Sequence, residues 1–445
     1  MKKQLFFLET YGCQMNFSDS EIIASVMNDK GFEQTDQINQ ADIIFVNTCS
    51  IRENAEQRVR KRLKEFNAIK KKNPKLMVGL LGCMAERLKD QLLNEEKLVD
   101  IIAGPDSYRD IPKLIHIAES GQKAINVLLS AEETYADISP VRLDKNGIAA
   151  FISIMRGCEN FCSYCIVPYT RGKERSRNPQ TIINEATDLF NKGYREITLL
   201  GQNVNSYLWN TENQKVDFPD LINQIALINP KLRIRFATSH PKDLSDRLIE
   251  VIKKHLNIAR AVHLPVQSGS TEMLKRMNRK YTREMYMERI QALRKNIPDI
   301  SISTDIICGF SSETDQDHAD TISLMEWVTF DYAFMFKYSE RPNTTAYKKY
   351  PDNVPEEVKS KRLTEIINIQ QKLSLLSNKK DIGKIFEVLI EGDSRRSKDF
   401  LSGRNSQNKV VIFPKKAFEK GTYVNVLINR CSTATLFGEI IEDLK

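Results

Sequence analysis

The chain has 445 residues, of which 41% are hydrophobic and 28% are charged. This composition excludes a disordered or collagen-like chain, and the length predicts two to four domains. Eight cysteines are too few for a disulfide scaffold. Glu9 interrupts the short apolar run at the amino terminus, and no stretch approaches the roughly 18 apolar residues of a membrane span. We therefore expect a cytoplasmic protein with reduced thiols and no membrane partner.

The net charge of +8 is concentrated in three regions. Basic side chains outnumber acidic ones by ten to three in Arg52–Lys75, by four to one in Arg171–Arg177, and by thirteen to nine from Asn378 onward. One such region is usually a solvated helix face. Three in one chain favour a polyanionic partner, and nucleic acid is the natural candidate.

Residues 1–138 alternate between apolar runs and helical patterns. Strands are predicted at Leu5–Thr10, Ala41–Thr48 and Leu76–Leu81. The capping-box spacing of Ser18-Asp-Ser-Glu21 predicts the start of a helix, and a basic helix is predicted over Glu53–Lys72. This order of elements is typical of an open, mostly parallel α/β sheet.

One cysteine follows each of the three predicted strands, and we call Cys13, Cys49 and Cys83 the N-terminal cysteine set. The carboxyl ends of parallel strands meet at one edge of a sheet, where ligands bind. We therefore expect these three thiols to converge. The alternative is three buried core thiols, although a core cysteine would more naturally lie in the middle of a strand.

Residues 139–377 and 378–445 are predicted to form two further domains. The first contains six β/α units, which favour a partial (β/α)6 barrel, and ends in a helix over about Pro355–Lys379. The second contains short strands separated by glycines, which is typical of a small antiparallel β-barrel of the oligonucleotide-binding kind. The strands predicted for these two domains are Ala149–Met155, Glu196–Leu200, Arg233–Thr238, Ala261–Val266, Ser301–Ile307, Asp331–Tyr338, Ile385–Ile390, Val410–Phe413, Tyr423–Ile428 and Thr435–Ile440.

Three more cysteines lie within eight residues after the first barrel strand, and we call Cys158, Cys162 and Cys165 the barrel cysteine set. Thiolates select zinc, copper(I) or iron–sulfur clusters. Structural zinc usually has four protein ligands, and no fourth Cys or His lies nearby in the sequence. A four-iron cluster on three cysteines keeps one iron open for a ligand. The spacing therefore favours such a cluster, with a zinc knuckle as the alternative.

The spacing of the barrel set, followed by β/α repeats, resembles the radical S-adenosylmethionine (SAM) enzymes. Several segments further resemble the methylthiotransferase branch, and the branch that modifies N6-prenylated adenosine in tRNA is the most similar. The segments are Thr10-Tyr-Gly-Cys13-Gln-Met-Asn16, Asn47-Thr-Cys49-Ser-Ile-Arg-Glu-Asn54, Gly82-Cys83-Met-Ala, Gly201-Gln-Asn-Val-Asn-Ser-Tyr207, His263-Leu-Pro-Val-Gln-Ser-Gly269 and Thr304-Asp-Ile-Ile-Cys-Gly-Phe310. This resemblance covers essentially the whole chain and implies a methylthiotransferase domain, a radical SAM core and a terminal TRAM domain.

The resemblance implies two [4Fe–4S] clusters and SAM as cofactors. The barrel set would hold the cluster whose open iron binds SAM, and the N-terminal set would hold an auxiliary cluster that carries the sulfur to be inserted. One SAM would methylate this sulfur. A second would supply the 5′-deoxyadenosyl radical that abstracts hydrogen from carbon 2 of adenine. The candidates for the SAM or substrate pocket are Gln202, Asn203, Ser239, His240 and Gln267, each with a purely structural role as the alternative.

The implied substrate is a prenylated adenosine next to the anticodon, so the partner is the anticodon stem-loop of tRNA. Unpaired loop bases can be splayed out for recognition. Basic residues after the cluster loop are expected near the loop phosphates, namely Arg171, Lys173, Arg175 and Arg177. A second group in the terminal barrel is expected to contact RNA farther away, namely Arg395, Arg396, Lys398 and Arg404.

Three other functions remain open from the sequence. Related methylthiotransferases act on threonylcarbamoyl-adenosine in tRNA or on an aspartate of a ribosomal protein, and a non-enzymatic iron–sulfur RNA-binding protein is the third. An external electron donor and a sulfur donor are also implied as partners. Two segments depart from the family pattern: Gly309-Phe-Ser-Ser-Glu-Thr314 lacks the usual Pro-Gly, and Arg341-Pro-Asn-Thr344 has Asn in place of Gly. Asn tolerates the left-handed conformation, so the second turn is expected to survive. Cys308 and Cys431 are interpreted as core thiols.

Overall fold

A computed structural model of the chain describes residues 3–49, 53–88 and 98–441, without the side chains of 53–56. Its amino-terminal part contains a six-stranded sheet in the order β2-β1-β3-β4-β5-β6, with every neighbouring pair parallel. The strands are β1 (Leu5–Tyr11), β2 (Glu33–Gln34), β3 (Ile43–Thr48), β4 (Met77–Gly82), β5 (Ile101–Ala103) and β6 (Ala124–Asn126). The predicted open parallel sheet is confirmed.

Helices cover both faces of this sheet. Apolar side chains of α1 (Gln14–Asp29) and α3 (Ile111–Glu119) pack on one face, and those of α2 (Glu53–Lys72) pack on the other. The predicted start of the first helix is wrong, because α1 begins at Gln14 with Cys13 as its N-cap. Ser18 and Glu21 are buried inside α1, so their capping-box spacing marks no helix start.

Six strands of the second domain follow one another around a partial barrel. Two three-stranded parallel sheets, β7-β10-β13 and β14-β15-β16, are joined by a bridge between Ile234 and Ile258. The barrel strands are β7 (Ala149–Ser153), β10 (Glu196–Leu200), β13 (Arg233–Phe236), β14 (Ala261–His263), β15 (Ser301–Cys308) and β16 (Tyr332–Lys337). All six correspond to predicted strands.

Helices and short ribbons surround the barrel. The short strands are β8 (Met155–Arg156), β9 (Arg175–Ser176), β11 (Leu208–Asn210) and β12 (Lys215–Asp217). The helices are α4 (Val167–Arg171), α5 (Pro179–Asn191), α6 (Phe218–Ala226), α7 (Asp246–Lys254), α8 (Thr271–Arg276), α9 (Arg283–Asn296), α10 (Asp315–Val328), α11 (Thr345–Lys349) and α12 (Glu356–Lys379). Asn343 has a φ of 71°, as expected for the turn in which it replaces glycine. In the described part of the chain, no helix is long and apolar enough to cross a membrane.

The carboxy-terminal strands close into a five-stranded barrel in the order β17-β18-β19-β21-β20. Its strands are β17 (Ile385–Ser394), β18 (Ser397–Asn405), β19 (Val410–Pro414), β20 (Tyr423–Cys431) and β21 (Thr435–Ile440). Neighbouring strands are antiparallel except β19 and β21. The small barrel is confirmed, and β18 is an additional strand that the sequence analysis did not predict.

The terminal barrel packs against the amino-terminal ends of the strands of the larger barrel. The Arg235 guanidinium in β13 donates to the backbone carbonyl oxygens of Asn405 at 2.9 Å and Ser406 at 3.2 Å. The Arg260 amide, just before β14, donates to Ser406 Oγ at 2.9 Å. The two barrels therefore meet at the end of the larger barrel opposite the loop that carries the barrel cysteine set.

Candidate metal centres

The parallel sheet brings the N-terminal cysteine set to one edge. In the register of β1, β3 and β4, Tyr11 pairs with Thr48 and Thr48 pairs with Gly82. Cys49 and Cys83 therefore follow paired residues. Gly12 has a φ of +124°, and a Cβ placed on it would lie 2.3 Å from Cys49 Cβ. Only glycine allows the chain before Cys13 to approach Cys49 this closely.

Buried polar partners surround these thiols. Cys13 Sγ donates to Asn16 Oδ1 at 3.1 Å, and Asn16 Nδ2 lies 3.3 Å from Asn47 Oδ1. A hydrogen bond with Cys49 lowers the pKa of Cys13 to about 6, with help from the charge of Arg171 and against the effect of burial. Burial raises the pKa of Cys83, and Arg171 opposes it. The edge thus favours negative charge on at least one sulfur.

The barrel cysteine set lies in the loop after β8. Asn160 Nδ2 lies 3.5 Å from Cys158 Sγ, and Arg279 Nη1 lies 3.4 Å from Cys162 Sγ. Burial raises the pKa of Cys158 to about 11 and raises that of Cys165 further. These thiols are therefore protonated near neutral pH when no cation is bound, and a metal that binds them releases their protons.

The donor chemistry of both sets suits a cluster of several irons. Among the described residues, no three Cys, His, Asp or Glu side chains are arranged as ligands of one metal ion. The thiols of each set lie close enough to influence one another's charge, as Cys13 does for Cys83 and Cys162 does for Cys165. Three thiolates can bind a four-iron cluster that keeps one iron open.

The two cysteine sets are connected through Arg171. Its Nε donates to Cys83 Sγ at 3.2 Å, although Arg171 itself belongs to α4 of the barrel domain. Cys165 of the barrel set lies six positions before Arg171 in the chain. Arg171 therefore brings the barrel domain into contact with the N-terminal set at the boundary between the two domains.

A buried ion network holds this boundary together. Asp19 of α1 is fully buried and accepts from Arg156 Nη1 at 2.8 Å and from Arg171 Nη2 at 2.7 Å. Asp106 accepts from Arg175 Nη2 at 2.9 Å. Burial raises the pKa of Asp19, but the charges of Arg156 and Arg171 outweigh it and lower the pKa below the ordinary value. Asp19 thus remains a carboxylate that binds two arginines of the other domain.

This network corrects the predicted RNA contacts after the cluster loop. Arg171, Arg175 and Arg177 are buried, and each guanidinium pairs with a carboxylate, that of Arg177 with Glu185. They cannot reach phosphates, because their charges are already used inside the protein. Lys173 alone among the four is exposed.

The candidates for the SAM pocket lie at the carboxyl ends of the barrel strands, and several carry unsatisfied polar atoms. Gln202 Oε1, Asn203 Oδ1 and Ser239 Oγ are buried without a hydrogen-bond partner among the described residues. Asn205 Oδ1 and Nδ2 are also buried without a hydrogen-bond partner among the described residues. Buried polar atoms are costly to leave unpaired, so this cluster fits a polar ligand such as an amino acid group.

Two further candidates, His240 and Gln267, follow the carboxyl ends of the barrel strands β13 and β14. His240 is buried and its Nδ1 accepts from the Lys242 amide at 3.3 Å. Burial, with the nearby charges of Arg279, Lys242 and Lys280, lowers the pKa of His240 to about 2. The imidazole is therefore neutral. Gln267 has a φ of 74° and its backbone bridges to Ile306, which holds it in place by main-chain contacts.

Four residues of these centres were not predicted from the sequence: Asp19, Arg156, Arg279 and Asn205. Arg156 directly precedes Gly157-Cys158, and Asn205 lies in the segment from Gly201 to Tyr207 that carried the resemblance. Their positions beside or within these motifs could have identified both residues from the sequence. Asp19 and Arg279 had none, because their partners are distant in the chain.

Comparisons with protein families cover most of the chain. Residues 5–104 match "Uncharacterized protein family UPF0004", residues 152–325 match "Radical SAM superfamily", and residues 379–441 match "TRAM domain". Two solved structures share the fold at low identity. The radical SAM methyltransferase TsrM from Kitasatospora setae is 13% identical with a TM-score of 0.57, covering 77% of each chain. The cobalamin-dependent enzyme OxsB is 15% identical with a TM-score of 0.55, covering 83% of this chain and 56% of that one.

These matches define the class as a radical SAM protein with a carboxy-terminal TRAM domain. Three curated relatives are each named tRNA-2-methylthio-N(6)-dimethylallyladenosine synthase. The proteins from Amoebophilus asiaticus (56% identity, 98% of this chain and 92% of that one), Parabacteroides distasonis (55%, 98% and 95%) and Chloroherpeton thalassium (55%, 99% and 97%) are similar over nearly their full lengths.

The chain belongs to the family of these synthases. The predicted family is confirmed, and so are its cofactors, [4Fe–4S] clusters and SAM.

Proposed function

We propose that this chain transfers a methylthio group to carbon 2 of N6-dimethylallyl-adenosine in tRNA. The observation that carries the proposal is the contact at the buried boundary between the two cysteine-bearing domains, where Arg171 of the barrel domain donates to Cys83 of the amino-terminal domain. Two incompletely ligated clusters in adjoining domains would suit a reaction that needs both a radical and a sulfur carrier.

The barrel set would hold the cluster that binds SAM, and the N-terminal set would hold the auxiliary cluster. When bound, the first cluster and SAM supply a 5′-deoxyadenosyl radical, and the second supplies the sulfur. The amides of Gln202 and Asn203 and the Ser239 hydroxyl would orient SAM, since Gln202 Oε1, Asn203 Oδ1 and Ser239 Oγ lack hydrogen-bond partners among the described residues. The neutral His240 imidazole would lie beside them. Gln267 would line the same pocket.

The chain also has to keep water away from the reacting groups. Cys49 and Cys83 are only 2% and 3% exposed. Tyr135 is buried beneath the Arg156 guanidinium, 4.9 Å from its ring centre. A closed boundary of this kind protects a reactive alkyl radical from side reactions.

We propose that tRNA also contacts the terminal barrel at the turn between β17 and β18. Arg395, Arg396 and Lys398 are exposed there, next to the exposed ring of Phe400. Arg404 is engaged by Glu391 at 3.2 Å and would contribute less. The turn lies at the end of β18 opposite Asn405, whose carbonyl oxygen accepts from Arg235 of the larger barrel. These side chains would therefore bind phosphates far from the modified base.

Replacing Arg395, Arg396 and Lys398 together by alanine is expected to weaken tRNA binding at least tenfold. The slope of log Kd against the logarithm of the salt concentration should decrease by the amount expected for the loss of about two to three phosphate contacts. The measurement is tRNA binding across a range of salt concentrations. The control is Arg430→Ala, which removes an equally basic side chain of β20 that packs on the Phe437 ring. An unchanged salt slope in the triple variant would argue against this contact.

The basic helix α2 is the second candidate RNA surface. It exposes Arg58, Lys61, Lys64, Lys71 and Lys72, and it follows strand β3, which ends at Thr48. The alternative is a solvated helix face. Lys173 is exposed, unlike Arg171, Arg175 and Arg177, and would contact the anticodon loop.

One assay with three substrates distinguishes the proposed reaction from its alternatives. Reconstituted enzyme with SAM and a strong reductant should add methylthio mass to tRNA that carries dimethylallyl-adenosine. It should add none to tRNA that carries threonylcarbamoyl-adenosine or to ribosomal protein. Product on either of the other substrates would favour the related enzymes, and absence of 5′-deoxyadenosine with every substrate would favour a non-enzymatic iron–sulfur RNA-binding protein.

The remaining expectations are part of the same proposal. We propose domain limits at 1–138, 139–377 and 378–445, with the connecting segment resting on α1 through hydrogen bonds of Ser25 Oγ to Ser139 and Val141. The reaction requires an external electron donor and a sulfur donor. Clusters on thiolates require a reducing compartment such as the cytoplasm.

A further inference from the structure

The Arg171 guanidinium of the barrel domain contacts a thiol of the N-terminal set. It is 3% exposed. Its Nε donates to Cys83 Sγ at 3.2 Å and its Nη2 donates to Asp19 Oδ2 at 2.7 Å. Two of its three nitrogens are therefore fixed by two elements of the opposite domain.

The third nitrogen, Nη1, has no hydrogen-bond partner among the described residues, although the atom is buried. A buried guanidinium N–H without an acceptor is costly, and native proteins rarely leave one. Arg171 therefore has one donor left for a group that the described residues do not supply.

Arg279 is another buried arginine that contacts a cysteine, and its hydrogen bonds differ from those of Arg171. Arg279 donates from Nη1 to Cys162 Sγ at 3.4 Å, from Nε to Tyr281 Oη at 2.8 Å and from Nη2 to the Pro265 carbonyl oxygen at 2.8 Å. All three of its nitrogens are satisfied by the protein itself. Arg171 differs in keeping one nitrogen for a group that the protein does not supply.

We propose that Arg171 is a positioning residue for the auxiliary cluster, because its Nε donates to Cys83 and thereby orients one ligand of the cluster that the N-terminal set would hold. The inference rests on the proposed function, because it requires that cluster. Through Arg171 the barrel domain fixes one ligand of a centre in the other domain. Hydrogen bonds and positive charge at cluster sulfurs stabilise the reduced state and raise the reduction potential.

The test uses the full chain with Cys158, Cys162 and Cys165 changed to alanine, so that only the N-terminal set can hold a cluster. Into this protein Arg171→Gln, Arg171→Lys and, as a matched control, Arg175→Gln are introduced. Arg175 is also buried and pairs with Asp106 at the same boundary, and no contact of its guanidinium with a cysteine is among its hydrogen bonds. The measurement is a redox titration followed by electron paramagnetic resonance, with iron content determined in parallel.

We expect Arg171→Gln to make the cluster harder to reduce. At the midpoint potential of the reference protein, the ratio of reduced to oxidised cluster should fall at least tenfold. This change corresponds to a shift in midpoint potential of about 59 mV for a one-electron couple. Arg171→Lys should shift the midpoint in the same direction by less, and Arg175→Gln should leave it unchanged. Loss of iron in Arg171→Gln but not in Arg175→Gln also supports the inference, and the midpoint is then read from Arg171→Lys.

Equal midpoints in all four proteins, or equal shifts in the Arg171 and Arg175 variants, would overturn the inference while leaving the proposed function intact. A reference protein that binds no cluster at all would contradict the proposed function itself, and this inference with it.

Discussion

Replacing Cys49 by alanine is expected to abolish methylthiolation of tRNA, by more than about 100-fold, while SAM is still cleaved to 5′-deoxyadenosine. Loss of a cluster ligand should exceed the 10- to 100-fold effects typical of outer partners of a metal site. Cys162→Ala should instead abolish both products, because the barrel set would hold the cluster that binds SAM. The measurement is mass spectrometry of tRNA nucleosides together with quantification of 5′-deoxyadenosine.

Cys308→Ala provides the matched control for both variants. Cys308 is buried in β15, where its thiol lies 3.4 Å from the Phe336 carbonyl oxygen, and burial raises its pKa to about 12. It lies in neither cysteine set, so both products should form as in the unmodified enzyme. If Cys49→Ala retained methylthiolation, or lost SAM cleavage as completely as Cys162→Ala, the division of labour between the two sets would be wrong.

Asp19→Asn is expected to destabilise the boundary between the domains by about 3–5 kcal/mol, the usual cost of removing one partner from a buried ion pair. The variant leaves Arg156 and Arg171 buried without their carboxylate. For a domain of this size the loss corresponds to a decrease of about 10 °C in the midpoint of the affected thermal transition. Circular dichroism during heating measures it.

The exposed ion pair between Lys3 and Glu33 is the control for the buried ion pairs of Asp19. Lys3 and Glu33 lie 2.6 Å apart with more than half of each side chain exposed, so Glu33→Gln should cost no more than about 1 kcal/mol. The folded state lowers the pKa of Asp19. Its contribution is therefore present above the ordinary carboxyl pKa of 3.8 and is lost as the pH falls through the lowered value. Equal stability of both variants would show that the network is not what joins the domains.

The cysteine arrangement could be predicted from sequence because it depends on local order alone. Cys13, Cys49 and Cys83 each follow a strand, and parallel strands place their carboxyl ends at one edge. The barrel set needed only its own spacing. Neither inference required knowledge of how the two domains pack together.

The positions of the arginines near the cluster loop could not be predicted, because they depend on contacts with residues that are distant in the chain. Arg171 and Asp19 are 152 positions apart in the chain, and their pairing exists only because α1 packs against the barrel domain. From sequence alone a run of arginines resembles a solvated phosphate-binding loop. Tertiary packing instead buries three of them against carboxylates.

Local sequence patterns also failed at two elements. α1 begins four residues before its apparent capping box, because Cys13 takes the N-cap position and the buried polar side chains of α1 face the domain boundary. Strand β18 was missed because its sequence, Ser-Lys-Asp-Phe-Leu-Ser-Gly-Arg-Asn, is mostly polar. Closure of the barrel supplies hydrogen-bond partners on both sides of this strand, which stabilises it despite its composition.

The most direct test of the two separate centres is the iron and sulfide content of anaerobically purified protein. Two four-iron clusters predict about eight irons per chain. Replacing the barrel set by alanine should leave about four, and replacing the N-terminal set should also leave about four. A triple variant of either set that retained all of its iron, or lost all of it, would contradict the assignment of one cluster to each set.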